Sequence, residues 1–157
     1  MTDHNHFLRE AIRLSREHMN KGAGGPFGAL IVKDGQIIGR GWNQVTSTND
    51  PTAHAEVVAI REACKTIKNF NLKGTVLYTS CEPCPMCLAA TYWARIDKVF
   101  YANSRTDAAQ IHFDDEFLYK EISLAIAHRS LPMEQLLQSE ALEVFKEWAQ
   151  KTDKIPY

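Results

Sequence analysis

The sequence predicts an α/β fold: a small mixed β-sheet with helices on both faces, three layers in all. Three observations carry this. Apolar residues recur at helical spacing near the N-terminus, after residue 53 and in the C-terminal third. An Asp34-Gly35 pair separates two short β-type runs, a strong hairpin signal because its type I′ turn matches the twist of paired strands. Residues 75–101 read as strand, helix and strand in that order. That order implies a parallel crossover, and alternating strands and helices imply an α/β architecture.

The elements follow in turn. Residues 4–20 are expected to be helical, with Phe7, Ala11, Leu14 and His18 on one face. The Lys21-Gly22-Ala23-Gly24-Gly25-Pro26 stretch breaks that helix. Ala29–Val32 and Gln36–Gly39 are the hairpin strands, and the polar residues 43–52 are a loop. Residues 53–69 turn helical, with Val57, Ile60, Cys64 and Ile67 as the expected buried stripe. Thr75–Thr79 is a strand, Cys84 to about Ala94 a helix and Lys98–Tyr101 the next strand. Helices are expected around 115–122 and 133–150, before a polar tail, Lys151–Tyr157.

Length and composition narrow the function. The 157 residues predict one domain, large enough to bury about 68–70% of its unfolded surface. A hydrophobic fraction of 45% and a charged fraction of 24% read as globular protein. Lys plus Arg total 18 against 19 for Asp plus Glu. That balance argues against a dedicated nucleic-acid binder, whose phosphate affinity comes from positive charge. No apolar run approaches the roughly 20 residues needed to cross a bilayer, so no membrane partner is expected. The N-terminal stretch MTDHNHFLREAIRLSREHMN is too polar for a signal peptide. A cytoplasmic location is therefore expected, and clustered thiols there bind metal or do redox chemistry more often than they form disulfides.

Three of the four cysteines, Cys81, Cys84 and Cys87, fall within seven residues. A catalytic zinc keeps about three protein ligands and leaves the fourth position for water. His54, Cys84 and Cys87 supply that number. Cys84 and Cys87, three apart, share a helix face, and a helix N-terminus favours thiolates. Pro83 is expected just before the helix, with Cys84 in its first turn. Glu56, two residues after His54, lies about 200° around a regular helix. The two share a pocket only if His54 sits at the irregular start of its helix. Zinc lowers the pKa of its water to roughly 7, so Glu56 beside it is the candidate proton carrier. Cys81 is expected to be a bystander or to act behind the ligands. A closed structural zinc site would need a fourth protein ligand, and no C-x-x-C separate from the Cys81–Cys87 run supplies one. A redox pair would leave His54 and Glu56 without a role. His4 and His6 are expected to be solvated at a frayed terminus. His18, His112 and His128 are expected to be ordinary surface or core residues.

His54-Ala55-Glu56 with Pro83-Cys84-Pro85-Met86-Cys87 is a known motif, the signature of zinc-dependent deaminases. The chain resembles the cytidine deaminase superfamily and, within it, the small bacterial guanine deaminases. Further matching stretches are Gly24–Ala29, Asn49–Glu56, Tyr78–Leu88, Tyr92–Arg95, Thr106–Ala109, Phe113–Asp115 and Tyr157. The resemblance implies one zinc per chain on His54, Cys84 and Cys87, with Glu56 as the catalytic acid–base. It implies hydrolysis of guanine to xanthine and ammonia, with a small purine base as the partner. It assigns base contacts to Asn43, Asp115 and the backbone of Ala55, and apolar walls to Phe27 and Trp93. An amide suits a purine edge because it both donates and accepts, and a carboxylate because it only accepts. Asp114 competes with Asp115 for the second role, and either could cap the helix that follows. Phe27 could equally anchor its loop, Trp93 could sit in a core or interface, and Asn43 could be a turn residue. The resemblance also implies a homodimer in which a C-terminal segment, about 133–157, is swapped and Tyr157 closes over the partner's pocket.

Two other readings stand beside this one. A tRNA adenosine or cytosine deaminase shares Asp50–Glu56, but residues 116–157 hold seven acids against five bases, the wrong sign for an RNA face. A zinc protein that only binds purines would need no acid beside an open metal position.

Overall fold

The computed structural model describes residues 3–157. Two compact units make it up, the first ending at Asp115 and the second running Glu116–Tyr157.

The first unit opens with α1 (His4–Asn20), capped by the Asp3 carboxylate, which accepts from His6 N–H. The hairpin follows as β1 (Gly28–Lys33) and β2 (Gln36–Trp42). Asp34 and Gly35 both take positive φ, 49° and 77°, as a type I′ turn requires. The loop expected at 43–52 holds one helical turn, α2 (Val45–Thr48). Next come α3 (Ala55–Ile67), β3 (Thr75–Cys81), α4 (Pro85–Trp93) and β4 (Lys98–Asn103). A short α5 (Arg105–Gln110), for which the apolar pattern gave no sign, is nucleated by a Ser104/Asp107 capping box.

The strand order is β2-β1-β3-β4. Strand β1 is antiparallel to β2 and β3, and β3 is parallel to β4 across α4. The sheet is mixed, as expected. Strand alternation divides the core between its two faces. On one, Leu30, Val32 and Tyr78 meet Phe7, Ala11 and Leu14 of α1. On the other, Ala29, Ile31 and Leu77 meet Ala55, Ala59 and Ala63 of α3, with Ala94.

The buried face of α3 differs from the expected stripe. Ala55, Ala59 and Ala63 are fully buried, while Val57, Ile60, Cys64 and Ile67 are half-buried. The reason lies in β2. A methyl group added at Gly39 would stand 2.4 Å from Ala59 O, and one at Gly41 would stand 2.0 Å from Ala55 O. Glycine beneath and alanine above let the helix backbone touch the strand backbone, so the larger residues fall to the flanks. His4 is also more engaged than expected. Its Nδ1 lies 2.7 Å from the Tyr78 hydroxyl and its ring stacks on Phe100.

The second unit holds α6 (Glu116–Ser123), a 3₁₀ turn at Ile126–His128 and α7 (Gln138–Gln150). The expected start of α7 near 133 moves to 138, because Leu137 takes a left-handed conformation, φ 54°. None of these elements contains a buried residue. Phe117, Ile122, Leu136, Leu137, Phe145 and Trp148 are among its exposed apolar side chains.

Candidate active site

Sheet register gathers the site at one end. Gly28 of β1 opposes Trp42 of β2, Ala29 opposes Thr79, and Cys81 of β3 pairs with Asn103 of β4. The carboxyl ends of β2, β3 and β4 thus meet the start of β1, and α3 and α4 begin just beyond. Ligand sites in open α/β sheets favour such an edge.

Both helices begin with a candidate metal ligand at the N-cap. His54 has φ −70° and ψ 154°, and Cys84 has φ −66° and ψ 169°. Neither side chain caps its own helix, so both project away from the axis. The extended His54 is the irregular start that the His54/Glu56 spacing requires. Cys84 corrects one expectation: it precedes the first turn, and the proline at the first helical position is Pro85. A proline fits there because that N–H would lack a helical partner anyway. Cys87, three residues on, is buried on α4.

The ligand atoms of His54, Cys84 and Cys87 lie within 4.8 Å of one another, the one such group of three among the described residues. His54 Nδ1 stands 3.5 Å from each sulfur. Tetrahedral zinc with Zn–S near 2.3 Å and Zn–N near 2.0–2.1 Å has an N-to-S edge of about 3.5–3.6 Å. The donor set and its spacing therefore fit zinc with one position left open.

The three donors shift one another's protons. The Cys87 thiol and His54 together bring the Cys84 thiol down to about 4. Cys87 keeps its proton, pushed up by the neighbouring Cys84 sulfur and by burial. His54 is raised, chiefly by its hydrogen bond to Cys84. Glu56 is 6% exposed, and burial raises its carboxyl above the ordinary range. The Thr79 hydroxyl lies 3.2 Å from Glu56 Oε1 and 3.0 Å from Cys81 O. Cys81 stands outside the group of three. It is buried, its thiol is raised to about 11 and it faces Ser104 O at 3.7 Å.

The remaining expected contacts divide. Ala55 is fully buried at the first position of α3, and Asn43 is 6% exposed in the loop after β2. Asn43 Oδ1 accepts from Gly25 N–H at 3.1 Å and Val45 N–H at 3.2 Å. Phe27 is half-buried and meets Phe113 edge to face at 4.9 Å. Asp115 is half-buried and its carboxyl is raised, first by burial and then by the charge of Cys84. That places it within electrostatic reach of the ligands. Trp93 stands apart: it ends α4, is 68% exposed and follows Cys87 by about 9 Å along the helix axis. Tyr157 belongs to the second unit and is 72% exposed.

Sequence reasoning missed Thr79 and the packing role of Phe113. A signal existed for the first. Thr79 shares the parity of Leu77 on β3, so its hydroxyl is carried on an inward-facing position of the strand.

Comparisons with known proteins agree with this geometry. The family model of the cytidine and deoxycytidylate deaminase zinc-binding region matches residues 1–103. The guanine deaminase of Bacillus subtilis (strain 168) is 54% identical over 155 residues, covering 99% of both chains. An X-ray structure of guanine deaminase from Bacillus subtilis superposes with a TM-score of 0.96 at 53% identity, covering 99% of each chain. The tRNA-specific adenosine deaminase of Aquifex aeolicus is 44% identical over 97 residues, 62% of this chain and 64% of that one. With its cluster of three donors at the starts of two helices, this chain belongs to the cytidine and deoxycytidylate deaminase zinc-binding family.

Proposed function

We propose that this protein hydrolyses guanine to xanthine and ammonia, with one zinc ion held by His54, Cys84 and Cys87. The observation that carries the reading is the buried Glu56 carboxyl, which interacts with Cys87 of the three-donor cluster. The full-length likeness to a guanine deaminase supports guanine as the base. Bound zinc supplies a water acidified to a pKa near 7 and positioned as a nucleophile.

Glu56 then moves the protons. Its carboxylate takes one from the water and gives it to N3 of the purine as the water oxygen bonds to C2, then takes the remaining proton from that oxygen and delivers it to the amine as the C2–N bond breaks. Thr79 holds one carboxylate oxygen, which limits the rotation of the group. Asp115 accepts from the N1–H and 2-amino edge, which guanine has and adenine lacks. Asn43 and the Ala55 backbone hold the base, and Phe27 flanks its face; Trp93, exposed at the far end of α4, is not assigned a contact within the same chain. The protein acts as a homodimer in which the C-terminal segment, about 133–157, is exchanged and Tyr157 closes the partner's pocket. The exposed apolar side chains of the second unit support that assembly, since large exposed patches mark contact surfaces.

The test is Glu56→Gln. Turnover should fall by about 10²–10⁴-fold, the usual weight of a general acid–base group, with one zinc per chain retained. Near-normal xanthine formation by the zinc-loaded variant would exclude this role. A screen of free bases, nucleosides and tRNA for ammonia release separates guanine from the tRNA alternative. A zinc-loaded parent that releases ammonia from none of them would favour a purine-binding protein.

A further inference from the structure

The side-chain oxygen of Asn43 is fully committed within the protein. It accepts from Gly25 N–H and from Val45 N–H, at 3.1 and 3.2 Å, and a carbonyl oxygen has two lone pairs. Among the described residues no partner is recorded for its Nδ2, and no buried side-chain polar atom lacks one. The amide nitrogen therefore reaches the surface, although the residue is only 6% exposed. The expectation that this amide both donates and accepts toward a base is thus corrected: it has only N–H left to offer. The backbone holds it in that sense. Asn43 N–H donates to Phe27 O at 3.0 Å, and Phe27 N–H donates to Gly25 O at 2.9 Å. Gln44 N–H donates to Ala53 O at 2.9 Å, which sets Asn43 beside the segment leading into His54.

This clamp depends on a missing side chain. A Cβ at position 24 would lie 2.3 Å from Asn43 Oδ1 and 2.5 Å from Asn43 O. One of those atoms is backbone and cannot swing away. Only glycine lets the 24–25 backbone close on the amide oxygen.

We propose that Gly24 is a positioning residue that makes Asn43 a donor-only reader of the base. The pocket then takes a purine that presents a carbonyl oxygen or bare ring nitrogen to Asn43, and it rejects one that presents an amino group there. A site built to satisfy one hydrogen-bonding pattern discriminates strongly, because the wrong partner leaves a polar group unpaired. The inference rests on the proposed function and adds to it the residue that fixes the sense of recognition.

The experiment is a double-mutant cycle of Gly24→Ala and Asn43→Asp, read as guanine KM and kcat, zinc content and melting temperature. Asp at 43 still accepts both backbone N–H groups but donates nothing. Asn43→Asp should raise KM about tenfold or more, the weight of one lost hydrogen bond, with zinc and melting temperature near those of the parent. Gly24→Ala should raise KM by about tenfold with kcat within about threefold. Placed on Asn43→Asp, it should add less than about twofold, since coupled residues are not additive. Independent multiplication of the two effects, an unchanged KM in Gly24→Ala or a parent-like KM in Asn43→Asp would overturn the proposal. If Gly24→Ala does not fold, Asn43→Asp still tests the donor sense on which the role of Gly24 depends, and a parent-like KM there overturns the proposal. A parent protein without guanine turnover defeats the proposed function and this inference together. An active parent with a failed cycle defeats only this inference.

Discussion

Replacing Gly41 by Ala joins the packing of α3 to the metal site. The added methyl would stand 2.0 Å from Ala55 O and 2.5 Å from Ala59 N, where ordinary contact begins at 3.4 Å. Relief by moving the helix requires a retreat of about 1.4 Å at Ala55. His54 directly precedes Ala55, so its Nδ1, now 3.5 Å from both sulfurs, is drawn out of position. Metal–ligand distances tolerate only about ±0.2 Å. Overpacking costs about 1–3 kcal/mol, and each kcal/mol lowers the melting temperature of a domain this size by about 2–4 °C. Gly41→Ala should therefore melt several degrees below the parent. Its zinc affinity, measured by competition with a chromophoric chelator, should fall about 10–100-fold, as it does when support behind a ligand is lost. Gly39→Ala is the control. Its methyl would stand 2.4 Å from Ala59 O, one helical turn farther from His54, so it should lower the melting temperature with less effect on zinc. Parent-like melting and zinc affinity in Gly41→Ala would show that α3 does not rest on this glycine, as would equal loss of zinc affinity in the two variants.

Three further outcomes are expected. In the zinc-free protein Cys84, with its thiol near 4, should react with iodoacetamide at a rate nearly constant from pH 6 to 8, and zinc should protect it. Mass mapping that finds Cys81 modified first would contradict this, because burial holds that thiol near 11. Burial raises the Glu56 carboxyl above its ordinary 4.5, so the folded zinc-free protein binds that proton more tightly than the unfolded chain. The resulting stability is present below about pH 4.5 and is lost as pH rises through the folded-state value. Zinc-free Glu56→Gln should thus melt above the parent at pH 8, with the gap closing toward pH 4.5; a gap that widens in acid would reverse the sign. Asp115→Asn should raise the guanine KM about 10–100-fold, the weight of a hydrogen bond to a charged group. Asp114→Asn should stay within about threefold, and the opposite ranking would move the role to Asp114.

Features controlled by neighbouring residues are legible in the amino-acid order alone. The Asp34-Gly35 turn, the helix at 4–20, the parallel crossover and the three candidate ligands all follow from local spacing and residue chemistry. Packing between distant segments decided the rest. The alanine face of α3 was hidden because its depth depends on glycines in β2, 14–24 residues away. Thr79 could not be paired with Glu56 until β3 lay beside α3. Asn43 reads as a two-way amide until the folded chain brings Gly25 and Val45 onto its oxygen. Periodicity records which side of an element is apolar. How closely two backbones approach, and which lone pairs they occupy, exists only once they meet.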